Sequence, residues 1–168
     1  FQIDPHFLYN TLETIKWSAV EQIGLSNKTS KMLTKLARLY RKGLENDDVI
    51  ITLQEELELL KLYIEIVKIR FGETIKFQWD IDESLYDCSV IKMCLQPIVE
   101  NAIEHGIELL EDRRGLLTIS GYVEGKLVIL SVKDNGVGME PSKVDSILTE
   151  NSKGYGVRNV NERLKICY

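Results

Sequence analysis

The sequence predicts an α+β protein, with a helical N-terminal part followed by an α/β sandwich. Three observations carry that prediction. Apolar residues recur at steps of three and four through much of the first 71 positions, the spacing of amphipathic helices. At Ile75 the period falls to two. Ile75, Phe77, Trp79 and Ile81 alternate with Lys76, Gln78 and Asp80, as in a half-buried strand. Further on, an Asn-bearing helical segment precedes two glycine boxes. That order suits a nucleotide pocket on a mixed scaffold of helices and strands.

The elements follow in order. Leu8, Leu12, Ile15, Ala19 and Ile23 share one stripe of a first helix, and Pro5 suits its opening turn. Gly24 and Asn27 mark a turn. Leu33, Leu36, Tyr40 and Leu44 give the stripe of a second helix. So short a connection implies an antiparallel hairpin. A lone hairpin buries two stripes poorly, so a homodimeric four-helix bundle is expected, and residues 1–48 form its domain. Val49-Ile50-Ile51 reads as a short extended piece, and Thr52 with Glu55 as a capping box. Leu53, Leu57, Leu60, Ile64, Val67 and Phe71 then define a connecting helix within residues 49–74, stopped at Gly72. Residues 75–168 form the second domain. In it Ile91, Leu95, Ile98 and Ala102 return to helical spacing, and Pro97 either kinks that helix or marks the start of its regular part. Residues 117–123 and 127–132 read as strands joined by a tight turn at Glu124-Gly125. Residues 139–153 are polar and unpatterned, which predicts a mobile lid. Val157, Val160, Leu164 and Cys167 give a last helix.

Composition excludes several classes. A net charge of −5 offers no basic footprint for nucleic acid. No apolar run reaches the roughly 18–20 residues of a membrane span, and no signal-peptide pattern is present. The chain opens with Phe1 inside a predicted helix, so a fragment is expected whose missing upstream part holds any membrane segment. The expected setting is the cytoplasmic domain of a plasma-membrane protein. Cys88, Cys94 and Cys167 lack metal-ligand spacing and read as buried reduced thiols.

The residues that carry chemistry fall in four places. Within Glu100-Asn101-Ala102-Ile103-Glu104-His105-Gly106, the Asn101 amide oxygen can ligate Mg²⁺. Within Asp134-Asn135-Gly136-Val137-Gly138, an acid at a strand end can accept from an adenine amino group. Gly154-Tyr155-Gly156 opens a helix, where free N–H groups favour phosphate. A single Gly-x-Gly marks most often a turn, but three elements in this order are far more specific. The fourth place is His6, in the first turn of the first helix, with Asn10 four residues on and on the same face. A lone His is more often structural or solvated. With a nucleotide pocket in the same chain, its neutral imidazole becomes a candidate nucleophile for a γ-phosphate. The product is a labile phosphoramidate that a second protein can accept.

Gln2-Ile3-Asp4-Pro5-His6-Phe7-Leu8-Tyr9-Asn10-Thr11-Leu12 resembles the phosphoacceptor motif of the LytS-type sensor histidine kinases. The resemblance runs on through residues 57–71, Leu95-Gln96-Pro97-Ile98-Val99-Glu100-Asn101-Ala102, both glycine boxes and Asn161-Glu162-Arg163-Leu164. It implies a dimerisation and histidine-phosphotransfer hairpin joined to a Bergerat-type (GHKL) ATP-binding domain. His6 is then the phosphoacceptor, and Asn10 orients the attacking species or a water. Asn101 coordinates Mg²⁺ and Asp134 contacts adenine N6, with Gly136 and Gly138 shaping that wall. Gly154 and Gly156 let lid and helix approach the phosphates. By position, Lys153 reads as a phosphate contact or a solvated lid residue, and His105 as structural or pocket-lining rather than catalytic. The implied partners are a second copy of the chain and the receiver domain of a response regulator.

The chain departs from the family pattern in places. Asp4 replaces an Asn, Tyr9 a Phe, and Glu104 stands where a basic residue is common. The chain stops at Tyr168 where the family continues with further strands, which implies a C-terminally truncated sheet and weaker nucleotide binding. Arg163 reads as a phosphate contact or a surface ion pair, and Arg70 as paired with an acid. Trp17 and Trp79 read as core or interface aromatics. Two rivals stand beside the kinase reading: another GHKL-type ATPase, which leaves the Pro-His-Phe-Leu segment unexplained, and a degenerate dimerisation module that binds nucleotide poorly.

Overall fold

The computed structural model describes the chain except residues 1–4, 25–26, 45–47, 113, 145–146 and 149–154; side chains are further undescribed at 5–9, 23, 44, 142–143 and 155. The chain divides into two compact units. Unit one holds Phe1–Asp48 and Leu57–Gly72, and unit two holds Val49–Glu56 and Glu73–Tyr168.

Unit one contains the helices α1 (Pro5–Ile23) and α2 (Lys28–Leu44), and α3 (Leu53–Phe71) from Leu57 onward. The turn between α1 and α2 is built by two predicted residues. Gly24 takes φ 79° and its N–H bonds the Val20 carbonyl at 2.8 Å. The Asn27 Oδ1 accepts the Ser30 N–H at 2.9 Å, an N-cap that satisfies one of the free donors of α2. Ser30 is itself buried, with its hydroxyl 3.3 Å from the Gly24 carbonyl.

The stripes of the hairpin are only partly inward. Leu12 is buried, but Ile15 is 47% and Trp17 56% exposed. On α2, Ala37 and Leu39 are buried while Tyr40 is exposed, so the inward face is rotated from the one its spacing predicts. Trp79 is also exposed, so neither tryptophan is a core residue of the single chain. Salt bridges join Lys35 to Glu65 and Lys42 to Glu58. Seven steps forward on α2 match seven steps back on α3, which makes the two helices antiparallel, with the pairs about 10 Å apart along the axis.

α3 is the most fully realised element. Thr52 and Glu55 form both halves of the capping box: the Thr52 N–H reaches the Glu55 carboxylate at 2.9 Å, and the Glu55 N–H reaches the Thr52 hydroxyl at 3.3 Å. Leu57, Leu60, Ile64 and Val67 are all buried, as spaced, and so are Leu59 and Leu62. Gly72, at φ 64°, ends the helix. Arg70 lies 4.6 Å over the Phe71 ring, a cation–π contact the sequence reading lacked.

Unit two is a sheet with helices against it. β2 (Ile75–Ile81) runs parallel to β4 (Gly115–Glu124), and β4 runs antiparallel to β5 (Leu127–Asp134). The strand order is β2-β4-β5. Glu124 pairs with Leu127, so the hairpin loop is Gly125-Lys126, with Gly125 at φ 62°. A glycine first in a two-residue loop suits a II′ turn. β4 buries Gly115, Leu117, Ile119 and Gly121 on one face. A second, small sheet pairs β1 (Ile50–Thr52) with β3 (Ser89–Ile91).

β3 corrects the sequence reading, which placed Ile91 on a helix. Ile91 pairs with Ile50, and the helix α4 spans only Gln96–Ala102, with Leu95 as its N-cap and Pro97 in its first turn. A proline there costs no intrahelical bond. A π-helical turn, Ile103–Ile107, follows α4. A four-residue helix α5 (Pro141–Val144) and a long helix α6 (Tyr155–Cys167) complete the unit. The rest of the expected lid at 145–146 and 149–153 lies outside the described residues. α6 rests on α4 where a Cβ on Gly156 would stand 3.1 Å from the Pro97 Cβ.

Two glycines set the distance between the helix layer and the strand ends. A Cβ on Gly136 would come within 2.3–2.6 Å of the Gly106 backbone. The Val137 N–H bonds the Gly106 carbonyl at 3.2 Å. Only a residue without a side chain fits between these backbones. Gly136→Ala is expected to lose about 1–3 kcal/mol of stability by overpacking. The check is a lowered denaturation midpoint at unchanged slope; a midpoint equal to that of the parent chain would refute the contact.

Candidate functional site

The sequence singled out α4 and the segment after β5, and the fold brings these two together. Asn101 sits half-buried in the last turn of α4, beside buried Val99 and Ala102. The π turn then widens the helix. The Glu108 N–H reaches five residues back to the Ile103 carbonyl at 2.8 Å. Ile103, Gly106 and Ile107 point inward, while Glu104 and His105 are exposed. A Cβ on Gly115 would be 2.3 Å from Ile107, so the π turn rests directly on the start of β4. Turns of this kind are frequent at functional sites. No spacing rule in the sequence signals one.

Asp134 ends β5 and turns toward the same place. Its Oδ1 accepts the Gly136 N–H at 2.8 Å, an Asx turn that fixes the carboxylate. A Cβ on Gly106 would stand 2.7 Å from that oxygen. Gly106 therefore makes room for the acid. Asn135 has a purely structural task. Its Oδ1 accepts the Leu116 N–H at 2.6 Å and its amide donates to the Arg114 carbonyl at 3.1 Å. It ties the loop to β4 and leaves Asp134 as the residue facing α4. Gly138, at φ 74°, needs the left-handed backbone that glycine adopts readily. Asn101, Asp134, Gly136 and Gly138 thus lie in one unit, on two elements in contact. His105 stands on the exposed side of the π turn.

The remaining predicted residues are distributed otherwise. Gly156 begins α6 and packs on Pro97. Gly154 and Lys153 lie outside the described residues. Asn10 is exposed on α1, its carbonyl accepting the Thr14 hydroxyl at 2.8 Å. His6 lies on the backbone of α1, with its side chain outside the described residues. Arg163 donates to the Lys92 carbonyl at 2.8 Å, a contact the sequence did not signal. Tyr168 likewise donates to the Ser89 carbonyl at 3.0 Å, so α6 is fastened to β3 and to the segment after it.

Glu56 escaped the sequence reading. It is 1% exposed, and its two oxygens accept N–H groups of Met93 at 2.6 Å and Leu95 at 2.8 Å. Met93 adopts φ 56° to aim its N–H inward. Burial raises the Glu56 carboxyl above its ordinary value, and the N–H donations from Leu95, Met93 and Cys94 only partly offset this. The same burial, with Glu56 beside it, pushes the Cys94 thiol up to about 12. Cys88, Cys94 and Cys167 are all free thiols, but of the three expected to be buried only Cys94 is; Cys88 and Cys167 are half-buried. A signal for Glu56 was present: it lies on the apolar stripe of α3, three residues after Leu53 and next to Leu57. An acid there must find buried donors.

The family model described as Histidine kinase matches residues 1–75. The chain is 36% identical to the sensor histidine kinase YesM of Bacillus subtilis, over 99% of this chain and 28% of that protein. It is 36% identical to the sensor histidine kinase YpdA of Escherichia coli, over 99% of this chain and 29% of that protein. It is 34% identical to the sensor protein LytS of Oceanobacillus iheyensis, over 97% and 28%. The chain therefore spans less than a third of the length of these relatives. Its fold is similar to the histidine kinase domain of a blue-light-activated histidine kinase from Erythrobacter litoralis, with a TM-score of 0.50 at 15% identity, covering 98% of this chain and 76% of that one. The match over residues 1–75 and the nearly full-length similarity to named sensor histidine kinases together show that the chain belongs to the histidine kinase family.

Proposed function

We propose that this chain is the catalytic core of a two-component sensor kinase that transfers the γ-phosphoryl of ATP to His6 and then to an Asp of a response regulator. The observation that supports this reading is the seating of the Asp134 loop on Gly106, in the π turn that directly follows the helix of Asn101. Asp134 is suited to adenine. With Oδ1 held by the Gly136 N–H, the carboxylate is oriented before any base arrives, and it accepts from an exocyclic amino group. Asn101 fits Mg²⁺, because a neutral amide oxygen is the hard donor this ion takes alongside phosphate oxygens. When bound, Mg²⁺ would neutralise phosphate charge. His105 lines the same helix end. Gly136 and Gly138 shape the adenine wall, and Lys153, Gly154 and Gly156 serve the phosphate side.

On α1, the His6 imidazole supplies the electron pair that forms the N–P bond while the bond from the γ-phosphorus to the bridging oxygen breaks and leaves with ADP. Asn10, one turn on, orients the imidazole or a water. Two copies of the chain pair through the α1 and α2 hairpins, for which exposed Ile15 and Trp17 offer apolar surface. Membrane attachment belongs to other parts of a longer protein; no described helix is long and apolar enough to cross a membrane.

Exposed Glu104 beside the pocket favours one second reading, a module that binds nucleotide weakly and does not phosphorylate itself. Labelling from radioactive ATP separates the two. Incorporation that is stable to base and labile to acid is expected on His6. His6→Gln is expected to abolish it with nucleotide affinity within about twofold of the parent. Equal labelling of both chains would refute His6 as acceptor.

Base selectivity tests the pocket itself. ATP is expected to bind more tightly than GTP, and Asp134→Asn to erode that preference. A charged hydrogen bond is worth about 1.5–3 kcal/mol, or roughly tenfold to a hundredfold in affinity. Calorimetry giving equal affinities for ATP and GTP in the parent chain would remove Asp134 from the site.

A further inference from the structure

We infer that Glu56 is a positioning residue for the Asn101 helix, and that it couples α3 to the metal side of the nucleotide site. The inference rests on the nucleotide reading above. Its chain of contacts is continuous. The Glu56 carboxylate holds the N–H groups of Met93 and Leu95. Leu95 is also the N-cap of α4, and its carbonyl accepts the Val99 N–H at 3.0 Å, the first rung of that helix. One residue is thus clamped at its N–H by Glu56 and begins the α4 ladder at its C=O. Asn101 lies on the following turn.

The clamp is closed from other sides as well. The Lys92 N–H bonds the Val49 carbonyl at 2.9 Å, and Arg163 of α6 holds the Lys92 carbonyl. The segment Lys92–Leu95 is therefore anchored to β1, α3 and α6 at once. Asp134 is reached by none of these bonds. It stands on β5 and is fixed by its own loop and Gly106. Loss of the Glu56 clamp should displace Asn101 and leave Asp134 in place. Glu56 is also the last residue of α3 that belongs to unit two. A twist or shift of that helix reaches α4 through its carboxylate.

Glu56→Gln presents an NH₂ group to one of two N–H donors, so one of them loses its acceptor while side-chain volume is kept. The experiment measures ADP binding to the 168-residue chain by calorimetry, with Mg²⁺ and with a chelator in its place. In the parent chain Mg²⁺ is expected to strengthen binding. In Glu56→Gln that gain should fall about tenfold, while affinity in chelator stays within about twofold. Arg163→Gln, which loosens the same segment from α6, should show the same selectivity with a smaller loss of about threefold, and it decides the matter should Glu56→Gln fail to fold. Equal weakening with and without Mg²⁺ would make Glu56 merely structural and overturn the inference. An unchanged Mg²⁺ gain in a variant that binds ADP would overturn it too. A parent chain that binds no ADP under either condition overturns the nucleotide reading, and this inference with it.

Discussion

The contact between the backbones of Gly106 and Gly136 is the constraint on which the site depends. Two chain segments, one leaving α4 and one leaving β5, meet at a separation that admits no Cβ. Everything on either side is arranged to permit that approach. The π turn lets Ile103, Gly106 and Ile107 face inward together. Ile107 rests on Gly115, the first residue of the central strand. Asn135 ties the far side of the loop to the same strand. The Asp134 carboxylate, held by the Gly136 N–H, is thereby seated against Gly106 in the turn that follows the helix of Asn101.

α3 has a second kind of importance, because it belongs to both units. Its first turn closes the capping box and supplies Glu56 to unit two, and its remaining length is paired with α2 in unit one. The pairing is made of ion pairs partly open to solvent, each worth less than about 1 kcal/mol at the surface. The clamp at Glu56 is buried, and both of its oxygens accept backbone N–H groups. Along the rest of the helix Leu57, Leu60, Ile64 and Val67 are buried, and their burial outweighs the ion pairs.

Much of the fold was legible. The period-four stripe of α3, its Thr52 and Glu55 cap and its Gly72 stop are local properties, and each appears as read. The β4–β5 hairpin was equally local, with its loop one position later than the turn signal suggested. What escaped were features decided by distant partners. β3 hid inside a helical spacing because Ile91 and Leu95 happen to lie four apart, and pairing with β1 outweighs that pattern. The inward face of α2 is set by its neighbours, so Ala37 and Leu39 replaced Tyr40. In the candidate site, the sequence pointed to Asn101 and Asp134 by residue type, and the fold puts their two elements in contact within one unit. The roles of Gly106, Asn135 and Glu56 depend on what lies across a gap, and residue type alone does not carry that. The bond of Arg163 to the Lys92 carbonyl went unseen for the same reason.

The environment of Cys94 has a practical consequence. With its thiol pushed up to about 12 and buried beside the Glu56 carboxylate, almost none of it is thiolate at neutral pH, and thiolate is the reactive form. Alkylating reagents and mild oxidants meet an inert sulfur as long as the Lys92–Leu95 segment stays closed over α3. Once that segment opens, the thiol returns to an ordinary value and reacts. The chain therefore carries its own chemical clock for local opening at the base of α4, read by the rate of labelling at a position that already exists.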